Sequence, residues 1–584
     1  MKRYRKLSTT ILFLSATALA GAAVLSAPAL AAKGGIPGPN PDAPGQIKKA
    51  NGPTVNTADG PVRGFVENGV NKFLGIPYAA PPVGALRWMP PSPPEHHALL
   101  DATEFANTCP QVTELGAFAG PSSVTEDCLY LNVFTTGTSP AKAVLVWIHG
   151  GGNIDGETND YDATKLAQNG IVVVTINYRM GLFGFLSESH LNAEGHPWGN
   201  YGILDSQAAL RWVQANIAAF GGDATKVALG GQSAGSSDTS ANLISPAAAG
   251  LFHRAINQSA PTSNFLVAPA SNPGLSSAAT ALQRGNNFAA AANCSSSACL
   301  RGLSAERILQ LQGTPNANGP YVTGIFIDGT IVPVQPVVAW TNGQYNKMPI
   351  MGGATKEEST FGESIREYFS GPPQAPLTAQ QYTDLVNATY GNQALYVPGA
   401  PAQVLAQYPA GPNPQATYER SFTDPGKCRG LRVLKLQAGT NGTNGVYGYD
   451  FTYQNAPYYF PKMPNPQNAS GNFMAKASHT IDIQFVFNNW HGGQLGVNLD
   501  QTSGQPRELQ GAELTLSDQI TAAWTNFTKT GNPNAAGLPV WPVVTAGSAT
   551  FLKQDVPNAT ETEAQFRAAY QCNFWDPLIV YVTN

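Results

Sequence analysis

Two stretches of the chain are apolar at nearly every position, Ala143-Val-Leu-Val-Trp-Ile148 and Ile171-Val-Val-Val-Thr-Ile176. Runs of this length and kind predict strands buried on both faces. Between them, Tyr161 to Asn169 has room for a helix. Leu129 to Phe134 alternates instead, with Leu129, Leu131 and Val133 on one face of a predicted strand. From Gln207 to Phe220 the period changes. Ala208, Leu210, Trp212, Val213 and Ile217 fall at broadly helical spacing, and Gly221-Gly222 stops the predicted helix. A short apolar run, Val227-Ala-Leu229, follows. Strand, helix, strand, helix in this order predicts an α/β sheet. In the second half, Met348-Pro-Ile-Met-Gly-Gly353 and Val446 to Tyr453 read as strands. Glu513 to Thr530 reads as a helix on Leu514, Leu516, Ile520, Ala523 and Phe527, ended by Gly531. Elsewhere in that half, Pro-, Asn- and Ala-rich loops separate shorter helical patches. Gly60-Pro-Val-Arg-Gly64 reads as a hairpin turn region. There is no internal repeat and no composition break sharp enough to place a second domain.

Composition adds a compartment. Lys2, Arg3, Arg5 and Lys6 precede an apolar stretch from about Ile11 to Leu25, and Ala29-Leu-Ala31 fits a small-x-small cleavage site. Residues 1–31 are therefore expected to be a removable export signal, the rival being an N-terminal membrane anchor. Residues 32–52, rich in Gly, Pro, Ala and Asn, read as a flexible leader, and 53–584 as one catalytic domain. No later stretch approaches the ~18 apolar residues of a membrane span, so no stable membrane insertion is expected. The 584 residues are only 12% charged, with 60 Gly, 46 Pro and a net charge of −4. With no basic run after the signal, nothing points to nucleic acid. Six cysteines all lie beyond the signal: Cys109, Cys128, Cys294, Cys299, Cys428 and Cys572. An even count in an exported chain predicts disulfides. Spacing leaves the pairing open, the simplest being sequential. No Cys-x-x-Cys pair or Cys/His cluster supports a metal site.

The chemistry centres on Gly231-Gln-Ser-Ala-Gly235, a G-x-S-x-G pattern between the apolar run at Val227 and a helix-like segment. Such a turn strains Ser233 and lifts its hydroxyl into the open, while the flanking glycines avoid a clash. The helix behind it aims its positive end at the site. The pentapeptide alone is unspecific in a glycine-rich chain, and a plain turn would read the same. More telling is His149-Gly-Gly-Gly152 directly after the buried strand ending at Ile148. Glycines there let backbone N–H groups curl inward as an oxyanion hole, joined by the N–H of Ala234 after the nucleophile.

These features extend to a family. The chain resembles the type-B carboxylesterases, the cholinesterase-like branch of the α/β-hydrolases, from about Val55 to near the C-terminus. The resemblance is carried by Phe73-Leu-Gly-Ile-Pro-Tyr-Ala79, Pro81-Pro-Val-Gly84 with Arg87, and Glu126-Asp-Cys-Leu-Tyr-Leu-Asn132. It continues through Asn177-Tyr-Arg-Met-Gly181, Phe220-Gly-Gly-Asp223 and Trp524-Thr-Asn-Phe-Thr-Lys-Thr-Gly-Asn-Pro-Asn534. It implies an α/β-hydrolase fold, with a mostly parallel central sheet, helices on both faces and long loop insertions. It implies Glu358 in Gly353-Ala-Thr-Lys-Glu-Glu-Ser359 as the acid of a triad, with Glu357 the alternative. It implies His479 in Ala477-Ser-His-Thr-Ile-Asp482 as the base. Ser359 and Thr480 stand where the family usually has Gly. The order Ser, Glu, His agrees with the fold, and only His479 and His491 follow the acid. His491 precedes two glycines and reads as loop. The resemblance further implies the disulfides Cys109–Cys128, Cys294–Cys299 and Cys428–Cys572.

Three departures bear on substrate. Gln232 stands before the serine where the family often has Glu. Between Cys109 and Cys128 the large aromatic is Phe118, not the Trp with which choline-ester relatives hold a quaternary ammonium. Asn153 follows the glycine triplet where relatives usually have an aromatic, suggesting an altered pocket floor. A dedicated cholinesterase is disfavoured. The expected activity is hydrolysis of small-molecule carboxylic esters through an acyl-enzyme, with Ser233, Glu358 and His479 catalytic. Gly151, Gly152 and Ala234 form the oxyanion hole, and no cofactor or metal is required. Lipase, carbamate or amide hydrolysis on the same machinery, or a non-catalytic binding role, are the alternatives.

Overall fold

The computed structural model describes residues 52–112, 120–259, 275–313, 321, 324–369, 375–391, 397–458, 474–487, 490 and 497–579. All lie within the compact unit Lys48–Asn584. The expected signal and nearly all of the leader, together with Phe118 and His491, fall outside the described residues.

Eleven strands form one sheet. In chain order they are β1 (Phe65–Glu67), β2 (Val70–Pro77), β3 (Tyr130–Thr135), β4 (Lys142–Ile148), β5 (Val172–Ile176) and β6 (Gly222–Gln232). They continue as β7 (Arg254–Gln258), β8 (Ile350–Thr355), β9 (Val446–Phe451), β10 (Thr550–Gln554) and β11 (Ala559–Thr562). Across the sheet the order is β11-β10-β9-β8-β7-β6-β4-β5-β3-β2-β1. The strands from β10 to β5 run parallel. The edges, β11 on one side and β3, β2 and β1 on the other, are antiparallel.

The continuous apolar runs have the predicted cause. Along β4, Val144, Val146 and Ile148 enter one core cluster, while Leu145 and Trp147 enter the other. Val172, Val174 and Ile176 divide from Val173 in the same way. Helices α1 (Tyr201–Asn216) and α2 (Ala234–Ile244) cover the first face with α3 (Pro414–Thr440). Helix α4 (Ala512–Thr530) covers the second through Leu516, Ile520, Ala523, Trp524 and Phe527. Side chains alternate across a strand, so only a strand covered on both faces can be apolar throughout.

Several boundaries differ from the sequence reading. The predicted helix at 207–220 begins six residues earlier and ends in a 3₁₀ turn, Ile217–Phe220, capped by Gly221 at φ 80°. Tyr161–Asn169 holds only the short helix Thr164–Gln168. The segment read as a hairpin turn, Gly60–Gly64, is mostly strand: Gly60–Arg63 pairs antiparallel with Thr54–Thr57, and the turn lies at Ala58-Asp59. Of the apolar residues that predict α4, Leu514 lies on the outer side and is 41% exposed. The 27-residue α3 was not foreseen, because Pro425, Gly426 and Gly430 read as breakers. Burial of Leu431, Val433 and Leu434 against the sheet overrides the local preference.

All three expected disulfides form, with Cα–Cα distances of 4.9 Å for Cys109–Cys128, 5.4 Å for Cys294–Cys299 and 5.3 Å for Cys428–Cys572. Among the described residues no helix is long and apolar enough to cross a membrane. One ion pair braces the loop after β5. Asp205 of α1 accepts from Arg179 Nε at 2.8 Å, from its Nη2 at 2.7 Å and from its backbone N–H at 3.0 Å. Both side chains are buried, so Asp205→Leu strands a guanidinium in the core. The expected cost is about 3–5 kcal/mol in urea unfolding; a loss under about 1 kcal/mol would contradict the assignment.

Candidate active site

The parallel strands all end on one side, and four segments that carry chemistry emerge there. Ser233 follows β6, the glycine loop at 150–152 follows β4, and Glu358 stands three residues beyond β8. His479 lies in a segment beyond β9. Open α/β sheets place ligand sites at these carboxyl ends for this reason.

Ser233 has φ 56° and ψ −122°, a conformation that costs a non-glycine residue about 1–3 kcal/mol. The cost is met by packing and hydrogen bonds. Its N–H donates to Gln258 O at 2.9 Å, and its carbonyl accepts from Ser236 N at 3.0 Å and Ser237 N at 3.1 Å. The elbow presses against β4 so closely that a Cβ on Gly235 would sit 2.1 Å from Ile148 O. That contact explains the second glycine of the motif.

Glu358 and His479 meet. His479 Nδ1 donates to Glu358 Oε2, and both side chains are buried. The other oxygen, Oε1, accepts from Ser259 Oγ at 2.7 Å, Thr355 N at 2.7 Å and Thr355 Oγ1 at 2.8 Å. Burial alone would raise the Glu358 carboxyl. The charge and hydrogen bond of His479, the Ser259 hydroxyl and the Lys427 ammonium outweigh burial and hold it below the usual range.

Glu357 has a different place. Its Oε2 accepts from Ala477 N at 3.1 Å, while its own N–H donates to Ala477 O at 2.9 Å. It ties down the segment that carries His479, and burial pushes its carboxyl up to about 7. The same segment is held further along, where Asp482 Oδ2 accepts from Gln258 Nε2 at 3.1 Å and Tyr449 OH at 3.2 Å. Thr480 has φ 76°, so this β-branched residue occupies backbone space that suits glycine.

The far nitrogen, His479 Nε2, lies 3.2 Å from Gln232 Nε2. Among the described residues the Ser233 hydroxyl makes no hydrogen bond to it. The side-chain amide one residue before the serine thus faces the outer nitrogen of the ring.

The glycine loop is backed by buried acids. Gly151 has φ 110°, and a Cβ there would lie 1.9 Å from Asp155 O. None of the N–H groups of Gly151, Gly152 and Ala234 donates to a loop carbonyl among the described residues. Asn153, expected at the pocket floor, instead turns its buried side chain into the protein. Its Nδ2 donates to Asp238 Oδ1 of α2 at 3.1 Å, and its Oδ1 accepts from Tyr178 OH at 3.0 Å. Burial pushes Asp155 and Asp238 up to about 8, and His149 down to about 4. Among the described residues no group of three or more His, Cys, Asp or Glu side chains is arranged to hold a metal ion.

Sequence reasoning missed Ser259, Thr355 and the Gln232 contact. Ser259 directly follows β7 at φ 55° and closes the shell around Glu358. The apolar-then-polar run Ala255-Ile-Asn-Gln-Ser259 was its only signal.

An elbow serine, a buried Glu–His pair and a glycine loop at the carboxyl ends of parallel strands define an α/β-hydrolase. The Carboxylesterase family matches residues 51–575. The chain is 33% identical over 509 residues to the para-nitrobenzyl esterase of Bacillus subtilis, covering 84% of this chain and 92% of that one. It is 31% identical over 524 residues to a Mus musculus acylcarnitine hydrolase, covering 86% and 87%. Among solved structures, a thermophilic PNB esterase superposes with a TM-score of 0.68 at 30% identity, covering 88% of this chain and 99% of that one. The chain belongs to the carboxylesterase family, and it is a carboxylic ester hydrolase.

Asp238 gives a test of the loop's buried wiring. Its carboxyl titrates near 3.8 when unfolded and near 8 when folded. It therefore favours folding most below pH 3.8, and that contribution is lost as pH rises toward 8. Asp238→Asn, which cannot ionise, is expected to gain melting temperature over wild type as pH is raised from about 4 to about 8. A pH-independent difference would contradict the buried acid.

Proposed function

We propose that this esterase works through an acyl-enzyme on Ser233, with His479 as base and Glu358 as the acid that orients it. The observation that carries this reading is the Glu358–His479 pair at the mouth of the strained serine turn. The hydroxyl of Ser233 is a poor nucleophile until an imidazole takes its proton. The Nδ1–H of His479 is held by Glu358, so the lone pair on Nε2 faces the serine side of the ring. For attack, Nε2 exchanges the Gln232 amide for the Ser233 hydroxyl. The acyl carbonyl oxygen becomes an oxyanion in reach of the N–H groups of Gly151, Gly152 and Ala234. His479 then protonates the leaving alcohol, and afterwards activates water to release the acid. Glu358 stays ionised throughout and balances the imidazolium.

Small-molecule esters are the substrates the family implies. Export of the mature chain, residues 32–584, accords with three disulfides formed by all six cysteines. Residues 53–584 are read as one catalytic domain.

Purified protein is expected to hydrolyse p-nitrophenyl esters, and Ser233→Ala to lose ~10⁴-fold or more in kcat. Retained turnover in Ser233→Ala would overturn the assignment. The optimum over an acyl-length series separates a short-chain esterase from a lipase, and p-nitroanilides test amide cleavage. N-terminal sequencing of the exported protein is expected to begin near Ala32; a start at Met1 would refute cleavage.

A further inference from the structure

Close to Glu358 lies a buried charge that the triad does not account for. Lys427 of α3 and Asp450 of β9 form an ion pair at 2.6 Å, with side chains only 2% and 1% exposed. Taking an ammonium out of water is costly unless every N–H finds an acceptor. Lys427 Nζ has three: Asp450 Oδ1, Ala354 O at 2.9 Å and Thr355 O at 3.1 Å. The ion pair alone would fasten the helix to β9. The two remaining bonds go to the last carbonyls of β8, and Thr355 donates twice to Glu358 Oε1. One residue therefore separates the ammonium from the carboxylate.

The ammonium is itself fixed from behind. Asp450 Oδ2 accepts from Tyr570 OH at 2.6 Å, and the Tyr570 ring centroid lies 4.9 Å from Lys427 Nζ. The disulfide Cys428–Cys572 joins the residue after Lys427 to the segment of Tyr570.

We propose that Lys427 is a positioning residue of the hydrolytic site, tying α3 to the two carbonyls that lead into Glu358 and placing a fixed positive charge behind that carboxylate. Given Glu358 as the acid of the triad, two consequences follow. The carbonyl anchors set where Thr355 presents its donors, and so where Oε2 meets the ring. The charge favours Glu358 as a carboxylate, which opposes proton uptake by the Glu358–His479 pair. The other titratable groups facing this region are Asp450 and Tyr449 of β9, Glu561 of β11, Asp482, Tyr570 and Glu357. Most of these are acids, so Lys427 supplies the compensating charge.

The test compares Asp450→Asn with Lys427→Met/Asp450→Asn, on p-nitrophenyl acetate across pH, with melting temperatures measured alongside. Asp450→Asn keeps the ammonium and both carbonyl bonds, and its kcat is expected within about threefold of wild type. The double variant leaves no orphan charge. Its kcat is expected to fall about 10- to 100-fold with little change in KM. The acidic limb of its kcat/KM profile is expected to move to higher pH by about half a unit or more. If that variant does not fold, Lys427→Gln/Asp450→Asn supplies a neutral donor, and the same displacement of the limb is expected. A folded double variant with the kcat and acidic limb of Asp450→Asn would reduce Lys427 to a packing role and overturn the proposal. Glu358→Gln is measured in parallel. Wild-type turnover there would defeat the triad itself, whereas a collapse there with no Lys427 effect would defeat this inference alone.

Discussion

A carboxylate kept ionised in the buried interior is the constraint around which this molecule is built. Glu358 is 1% exposed, and burial works against its charge. It survives as an anion because its two oxygens accept four hydrogen bonds, from His479, Ser259 and two groups of Thr355. Each donor comes from a separate structural decision. Thr355 ends β8, Ser259 follows β7 in a left-handed conformation, and His479 sits on a segment stapled by Glu357 and Asp482. Parallel pairing of β6 to β9 brings these ends to one edge. An unpaired carboxylate there would cost more than the strain stored at Ser259 or Thr480, so the shell and the sheet stand together.

The two halves of the site are held by different chemistry. The Glu358–His479 side is saturated with hydrogen bonds and backed by a buried ammonium. The glycine loop is backed by acids that burial keeps protonated around neutral pH, Asp155 and Asp238. Neutral acids suit the region where the proposed mechanism places an oxyanion, because a carboxylate behind the loop would oppose it. Asn153 belongs to this wiring. The position that read as a change in the pocket joins the loop to the helix that follows Ser233.

The sequence displayed this plan unevenly. Runs at Ala143–Ile148 and Ile171–Ile176 announced the central strands because both faces are covered, and the elbow and glycine loop announced the site because backbone geometry admits few other residues there. Glu358 and His479 were legible through family resemblance and chain order, since a lone Glu or His carries no pattern. Ser259, Thr355 and Lys427 were not legible. Their roles depend on which strand ends lie side by side, and pairing of β8 with β7 and β9 is long-range. Helix α3 stayed hidden for the opposite reason. Pro425 and its glycines contradict a helix locally, and tertiary burial decides.

In the proposed mechanism Ser233 carries the acyl group during turnover. Rapid-quench mass spectrometry of the wild-type protein with p-nitrophenyl acetate tests it most directly. The expected result is a transient gain of one acetyl group, mapped to the peptide containing Ser233, appearing with a burst of p-nitrophenol and decaying at the rate of turnover. An acyl group on another residue would contradict the account, as would turnover that proceeds with no burst and with no acyl-enzyme even in a deacylation-slowed variant.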